Sequence, residues 1–278
     1  MFKLGFIDYY LDEWHANNYP QWIREASEGN MQVTHAFALA DSPKGGRTTA
    51  AWCKAFGVAQ CGTIEDVIAQ CDGLIVLSPD DCQMHEQLCE KPLRSGKPVY
   101  VDKTFAPDAE TARRIFAIAE ESATPCYSTS ALRFAQEYEG VKRESIKSLC
   151  SWGPGNFEIY SIHQLEPVMM LMNCPAKRVM SLPGEGWVSL MIEFEDGRCA
   201  TIACYEEGAP FEMNLCMAGG NAVITVNSDF FKAFIKRMVD FFQDRQIQVP
   251  HEETLRIMAV RGAGVKAVQK PFTWIEVD

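Results

Sequence analysis

The sequence predicts an α/β protein, a doubly wound parallel sheet followed by an α+β domain with a mainly antiparallel sheet. Apolar strand patterns alternate with helix patterns through the first half of the 278 residues. Such βαβ alternation requires right-handed crossovers, which cover a parallel sheet with helices on both faces. The second half changes to closely spaced strand patterns joined by Glu195-Asp-Gly-Arg198 and Gly219-Gly-Asn221, both with hairpin turn chemistry. The change divides the chain into residues 1–128 and 129–278.

Phe2–Asp8 and Val33–Ala40 read as buried strands and Thr48–Phe56 as a helix. Thr63-Ile-Glu-Asp66 is a capping-box start to a helix ending near Gln70. Gly73–Ser78 is a strand, Asp81–Lys91 a helix and Pro98–Val101 a strand. Pro107–Ser122 is a helix with proline at its start, and Pro125–Ser128 a short strand. A helix is expected over Phe134–Leu149, then a loop, Ser151-Trp-Gly-Pro-Gly-Asn156. Trp187–Glu195, Arg198–Glu206, Phe211–Ala218 and Ala222–Asn227 follow as antiparallel strands. Helices over Asp229–Gln243 and Glu252–Ala267 precede a last strand, Phe272–Val277.

A hydrophobic content of 47% with 23% charged residues is that of a soluble globular protein. No apolar run approaches the ~20 residues that span a bilayer, and no secretory signal is visible at the N-terminus. Eleven cysteines, an odd number without a Cys-x-x-Cys pair, predict free thiols in a reducing cytoplasm. His15, His35 and His251 show no metal-ligand pattern, so no metal is expected. The net charge of −11 disfavours nucleic acid and acidic membranes, which leaves a small-molecule substrate.

The turn after the first strand poses a problem. A dinucleotide fold places glycines there, for a tight turn and for close approach to the pyrophosphate. Here those positions hold Asp8, Tyr10 and Glu13, with Asp12 between them. Like charges ~4 Å apart repel by ~4 kcal/mol at an effective dielectric of ~20, so these acids cannot all face a phosphate. An ordinary structural role is open to them, with Asp12 capping the next helix and Glu13 in its first turn. Lys44-Gly-Gly-Arg-Thr48 offers compensating charge nearby.

Four stretches together resemble the glucose–fructose oxidoreductase and inositol dehydrogenase family, Gfo/Idh/MocA. They are Ala40-Asp41-Ser42; Asp72–Pro79 with His85 and Ser95-Gly-Lys-Pro-Val99; Val101-Asp-Lys-Thr104; and Ile162-His-Gln-Leu-Glu166. Val101-Asp-Lys-Thr104 stands where the family carries Glu-Lys-Pro, whereas Glu90-Lys-Pro92 spells that signature inside a helix pattern. The resemblance implies a Rossmann-like dinucleotide-binding domain, a second domain for substrate and oligomerisation, and NAD or NADP as cofactor.

By that resemblance Lys103 and His163 are the catalytic pair. Lys103 would polarise the reacting oxygen, and His163 would shuttle its proton. Asp8, Tyr10, Asp41, Lys44, Arg47, Ser78, Pro79, Asp80 and Lys103 would surround the cofactor. Asp41 would accept from the adenosine ribose or cap its own turn, and Lys44 and Arg47 would hold a 2′-phosphate if there is one. Arg133, Trp152, Tyr160, His163 and Glu166 would face substrate, with Glu166 orienting the His163 ring; His85 packs or orients. Where the family has an acid four residues before His163, this chain has Ile159.

The implied activity is NAD(P)-dependent hydride transfer to or from a sugar, cyclitol or related polyol. The rivals are a family-derived binding protein without dinucleotide or turnover, and a redox-neutral lyase or epimerase with tightly held cofactor. A homo-oligomer is expected through the second sheet, where Met191, Ile202, Cys204, Leu215 and Met217 would form an exposed apolar face.

Overall fold

Phe2–Asp8 forms β1, whose residues from Leu4 onward are buried, as the apolar run requires. A computed structural model describes residues 1–43 and 45–278; Lys44 lies outside the described residues. The chain makes two compact units. The first comprises Met1–Ala106, Glu110–Thr129 and Lys232–His251, and the second Pro107–Ala109, Ser130–Phe231 and Glu252–Asp278.

In the first unit β1 is followed by α1 (Trp14–Ala26), β2 (Met31–Ala38), α2 (Thr49–Phe56), β3 (Ala59–Gln60) and α3 (Ile64–Gln70). Then come β4 (Gly73–Val76), α4 (His85–Leu93), β5 (Val99–Val101), α5 (Ala109–Glu121) and β6 (Cys126–Ser128). The six strands are parallel in the order β3-β2-β1-β4-β5-β6, with the order reversing beside β1. In such sheets ligands bind at the carboxyl ends of the strands, next to that switch point. Here those ends are Asp8, Leu77–Asp81 and Asp102–Thr104.

The capping box at α3 is present in both directions: Asp66 N donates to Thr63 Oγ1 (3.1 Å) and Thr63 N to Asp66 Oδ2 (3.0 Å). Thr63→Ala is expected to lower stability by about 1 kcal/mol, read as a shift of the urea midpoint at unchanged slope. Helix α1 differs from expectation at its start. Glu13, not Asp12, is the N-cap, and Pro20 sits inside the helix.

The second unit is a seven-stranded sheet with one long helix. Its elements are β7 (Ile146–Pro154), α6 (Phe157–Met172), β8 (Ala176–Gly184), β9 (Trp187–Phe194), β10 (Cys199–Tyr205), β11 (Glu212–Met217) and β12 (Gly220–Thr225). Helix α7 (Phe230–Asp244) lies mostly in the first unit, while α8 (His251–Val268) and β13 (Ile275–Glu276) return to the second. The order is β12-β11-β7-β10-β9-β8-β13, antiparallel except for β10 with β7.

Three expectations fail here. The helix expected over Phe134–Leu149 is instead short 3₁₀ turns leading into β7, and the expected loop at Ser151–Asn156 is largely the end of that strand. The proposed exposed apolar face also fails. Leu190, Ile202, Ser151 and Met213 form one buried row across four strands, and the next row is Met191, Thr201, Cys150 and Asn214. Met191 therefore faces away from Ile202, and Ile202, Cys204 and Leu215 are all buried. Alternation along each strand separates residues that the sequence places in one apolar set. Gln164 of α6 anchors the buried side: its Nε2 donates to Ala203 O (2.9 Å) and its Oε1 accepts from Ser151 Oγ (3.0 Å).

Candidate functional site

At the tip of β1 the chain enters α1 through a turn that consumes its own helix amides. Glu13 Oε2 accepts from His15 N (2.7 Å) and Oε1 from Ala16 N. A carboxylate thus sits on the positive end of α1, the place a diphosphate takes in a dinucleotide fold. Asp12 turns aside, accepting from Arg47 N (2.6 Å), the Arg47 guanidinium (3.3 Å) and Asn17 (3.1 Å). Partial burial pulls Asp12 up, but those donors outweigh it and hold the carboxyl below its usual range.

Asp8 is buried, with 1% of its surface exposed. Its Oδ1 accepts from Tyr9 N (2.7 Å), while Oδ2 has no hydrogen-bond partner. Burial first, then the charges of Glu13 and Asp102, push its carboxyl well above the usual range. Tyr10 is buried too, its phenol pushed up to about 12 by burial and by Asp80 and Asp81. It occupies space where a glycine would leave backbone open.

Asp102, at the tip of β5, is fully buried and gathers three partners. Tyr100 OH (3.0 Å) and Tyr19 OH (3.3 Å) donate to Oδ1, and His15 Nδ1 lies 3.5 Å from Oδ2. The same Nδ1 is 3.2 Å from Glu13 Oε2. Asp8, Glu13, His15, Asp102, Tyr19 and Tyr100 therefore form one polar cluster inside the first unit. Of these six, only Asp8 is a candidate site residue on the sequence alone. His15 follows Glu13 by two residues at a strand tip, and that spacing was the signal available.

Lys103 follows Asp102 and is 6% exposed, its Nζ donating to Pro79 O (3.2 Å). Pro79 is buried and Asp80 exposed. Ser78 has a positive φ of 87° and donates from Oγ to Asp81 O (3.0 Å). His85 is buried, its nitrogens facing Phe105 O (3.0 Å) and Leu77 O (2.6 Å), and burial lowers its pKa. It ties the tip of β4 to the segment after β5. Asp41 Oδ1 accepts from Thr49 N (2.6 Å), holding the first turn of α2. Arg47 is engaged by Asp12, and Lys44 lies outside the described residues.

In the second unit His163 belongs to the second turn of α6, whose N-cap is Asn156, so it does not cap the helix. Its Nδ1 is 2.8 Å from Ser130 Oγ, and its ring meets Tyr160 and Phe211 edge-on at 5.4 and 6.1 Å. Ser130 thus orients the ring. Glu166 accepts from Ser130 N (3.2 Å) and Arg133 (2.7 Å). Arg133 is buried between Glu166 and Glu253, which hold its guanidinium charged against the opposing effect of burial. Trp152 is half-buried on β7, and Tyr160 is 40% exposed.

A doubly wound parallel sheet followed by a mainly antiparallel α+β unit is a two-domain architecture of the Rossmann-like type. Residues 20–129 match the GFO_IDH_MocA family, described as "Oxidoreductase family, NAD-binding Rossmann fold". The match covers the greater part of the first domain, and to that extent the chain is similar to the Gfo/Idh/MocA oxidoreductases. The matched segment begins after the β1–α1 turn.

Solved structures of similar fold include a probable dehydrogenase from Thermotoga maritima, with TM-score 0.79, 11% identity and coverage of 99% of this chain and 98% of that one. Scyllo-inositol dehydrogenase from Lactobacillus casei, with bound NAD(H) and scyllo-inositol, has TM-score 0.78, 15% identity and 99% coverage of both chains. Myo-inositol 2-dehydrogenase from Lactobacillus plantarum has TM-score 0.79, 13% identity and coverage of 100% and 99%. At these identities the likeness is one of fold. No curated protein matches the chain. Among the described residues, no helix is long and apolar enough to cross a membrane.

Proposed function

We propose that this relative of the oxidoreductase family acts on a hydroxyl-rich small molecule, a sugar, cyclitol or related polyol, without a dinucleotide in the usual turn. The observation that supports the second half is Glu13. Its carboxylate takes both the place and the donors of a pyrophosphate, beside a buried Asp8 and a buried Tyr10. A diphosphate brought there would meet these acids and lose the amides that should receive it. The turn is thus ill suited to a dinucleotide pyrophosphate. Lys103 supports the first half: a nearly buried ammonium at a strand tip is suited to polarise a carbonyl or carbinol oxygen.

A second reading is NAD- or NADP-dependent hydride transfer with Lys103 and His163 as the catalytic pair. The position of Lys103 after β5 favours it, as does NAD(H) with scyllo-inositol in the Lactobacillus casei neighbour.

Titration with NADH and NADPH, following nicotinamide fluorescence and melting temperature, separates the two. No saturable binding up to millimolar concentration is expected; saturation by either overturns the dinucleotide-free reading. Glu13→Gly is expected to strengthen dinucleotide binding by at least about tenfold, or 1.4 kcal/mol, since it removes a charge and frees two amides. An unchanged affinity would show that Glu13 does not guard the turn. A homo-oligomer through the second sheet would use the row Met191, Thr201, Cys150 and Asn214 rather than the buried row; light scattering of Thr201→Arg against the parent chain tests it.

A further inference from the structure

The cluster at the tips of β1 and β5 contains the parts of an acid–base centre that the family resemblance does not supply. The His15 ring is fixed on several sides. Its Nδ1 faces Glu13 Oε2 at 3.2 Å and Asp102 Oδ2 at 3.5 Å. Tyr19 and Trp14 meet the ring edge-on with centroids at 5.2 and 5.1 Å. In the neutral ring, the Glu13 carboxylate at hydrogen-bond distance favours the tautomer that carries hydrogen on Nδ1, which leaves the lone pair on Nε2. Nε2 bonds no described residue and is not among the sealed polar atoms. His15 keeps 8% of its surface exposed.

The surroundings are unsuited to mere packing. Asp8 Oδ2 is buried without a hydrogen-bond partner, an arrangement that folding alone disfavours, and the nearest charged partner of the buried Asp102 Oδ2 is His15 Nδ1 at 3.5 Å, beyond hydrogen-bond geometry. Asp102 Oδ2 is aimed at His15 at ion-pair distance, while Tyr19 and Tyr100 hold Oδ1 and so fix the carboxyl plane. A carboxylate that orients an imidazole whose other nitrogen stays open is the general-base arrangement. Lys103, the next residue after Asp102, brings an ammonium to the same edge of the sheet.

We propose that His15 is an acid–base catalytic residue for proton transfer at a carbon next to a carbonyl, on a hydroxy-ketone or hydroxy-aldehyde of the sugar or cyclitol class. Asp102 and Glu13 are positioning residues for its ring. His15 Nε2 takes the proton from the carbon, the C–H electron pair becomes the C=C bond of an enediolate, and the carbonyl π pair moves to oxygen beside the Lys103 ammonium. The imidazolium then returns a proton to carbon, and the carbonyl re-forms. No electrons are gained or lost overall, so the step needs neither oxidant nor dinucleotide. It deepens the dinucleotide-free reading above and rests on it.

The test follows hydrogen–deuterium exchange by proton NMR in D₂O, with dihydroxyacetone, D-fructose and scyllo-inosose as probes. The unmodified chain is expected to exchange the carbon-bound hydrogen of at least one probe about 10²–10⁴-fold faster than His15→Gln, the range of general acid–base catalysis. Asp102→Asn should retain part of the rate and alter the pH–rate profile, which a purely structural role would not do once circular dichroism and melting temperature are matched. Equal exchange by the parent and His15→Gln, or no exchange of any probe, overturns the assignment of His15. Saturable NADH or NADPH binding in the parallel titration overturns the dinucleotide-free reading instead, so the two failures are distinguishable.

Discussion

Arg133→Ala is expected to lower the unfolding free energy by about 3–5 kcal/mol, the largest single loss predicted for this chain, because it strands a buried charge. The Arg133 side chain is 7% exposed and that of Glu166 4%, and the pair meets at 2.7 Å. Glu253, at 28%, can turn toward water when its partner goes; Glu166 cannot. Arg133→Lys should recover little, since one ammonium cannot replace a planar fork that serves two carboxylates. Urea unfolding followed by circular dichroism gives the value. The double variant Arg133→Met with Glu166→Leu is expected to be more stable than Arg133→Ala, because no unpaired charge remains. A loss below 1 kcal/mol in Arg133→Ala would mean that the triad contributes little, and would reopen Arg133 for a ligand. At present its guanidinium serves Glu166 and Glu253.

Five strands of the parallel sheet were legible because each is a short apolar run with a helix pattern between it and the next, whereas β3, the exposed pair Ala59–Gln60 at the edge, carries no such pattern. Gly73–Val76 and Val99–Val101 are buried throughout, as strands covered on both faces must be. Strand β7 was not legible, for a physical reason. Ile146–Pro154 alternates buried and exposed positions, but its end, Ser-Trp-Gly-Pro, has the composition of a turn. It is a strand because β10 and β11 flank it, and Gly153 is accommodated by close approach: a Cβ there would lie 2.7 Å from the Phe211 ring. Long-range pairing overrode local chemistry.

The candidate site divides in the same way. The placement of Lys103 at a strand tip was legible because it is a property of the chain order. The Glu13–His15–Asp102 cluster was not, because Asp102 is 87 residues beyond His15 and only the fold brings them together. Glu13 was expected in the first turn of α1 and is one residue earlier, at the cap. That single position changes its role: within the helix it would only favour the dipole, whereas at the cap its oxygens occupy the amides.

Asp8→Asn is expected to stabilise the protein by up to about 2 kcal/mol at neutral pH, the scale seen when a strained functional polar group is relieved. Burial, then Glu13 and Asp102, raise the folded-state pKa of Asp8 above the ordinary carboxylate value near 3.9. The sign follows from proton counting. Below the unfolded pKa both states hold the proton, and Asp8 contributes no pH dependence. Above it the unfolded chain releases the proton while the folded chain retains it, so stability falls as pH rises until the folded group ionises as well. Asparagine does not titrate, and its amide can donate toward the neighbouring carboxylates. The stabilisation should therefore be smallest near pH 4 and grow toward pH 8, measured by denaturant unfolding at both. A gain independent of pH, or a loss at pH 8, would mean that Asp8 is not forced to keep its proton. The expected result bears directly on the strand-tip chemistry. A stabilised Asp8→Asn variant would mark Asp8 as an acid held against folding stability beside Glu13 and Asp102, whose charges raise its pKa.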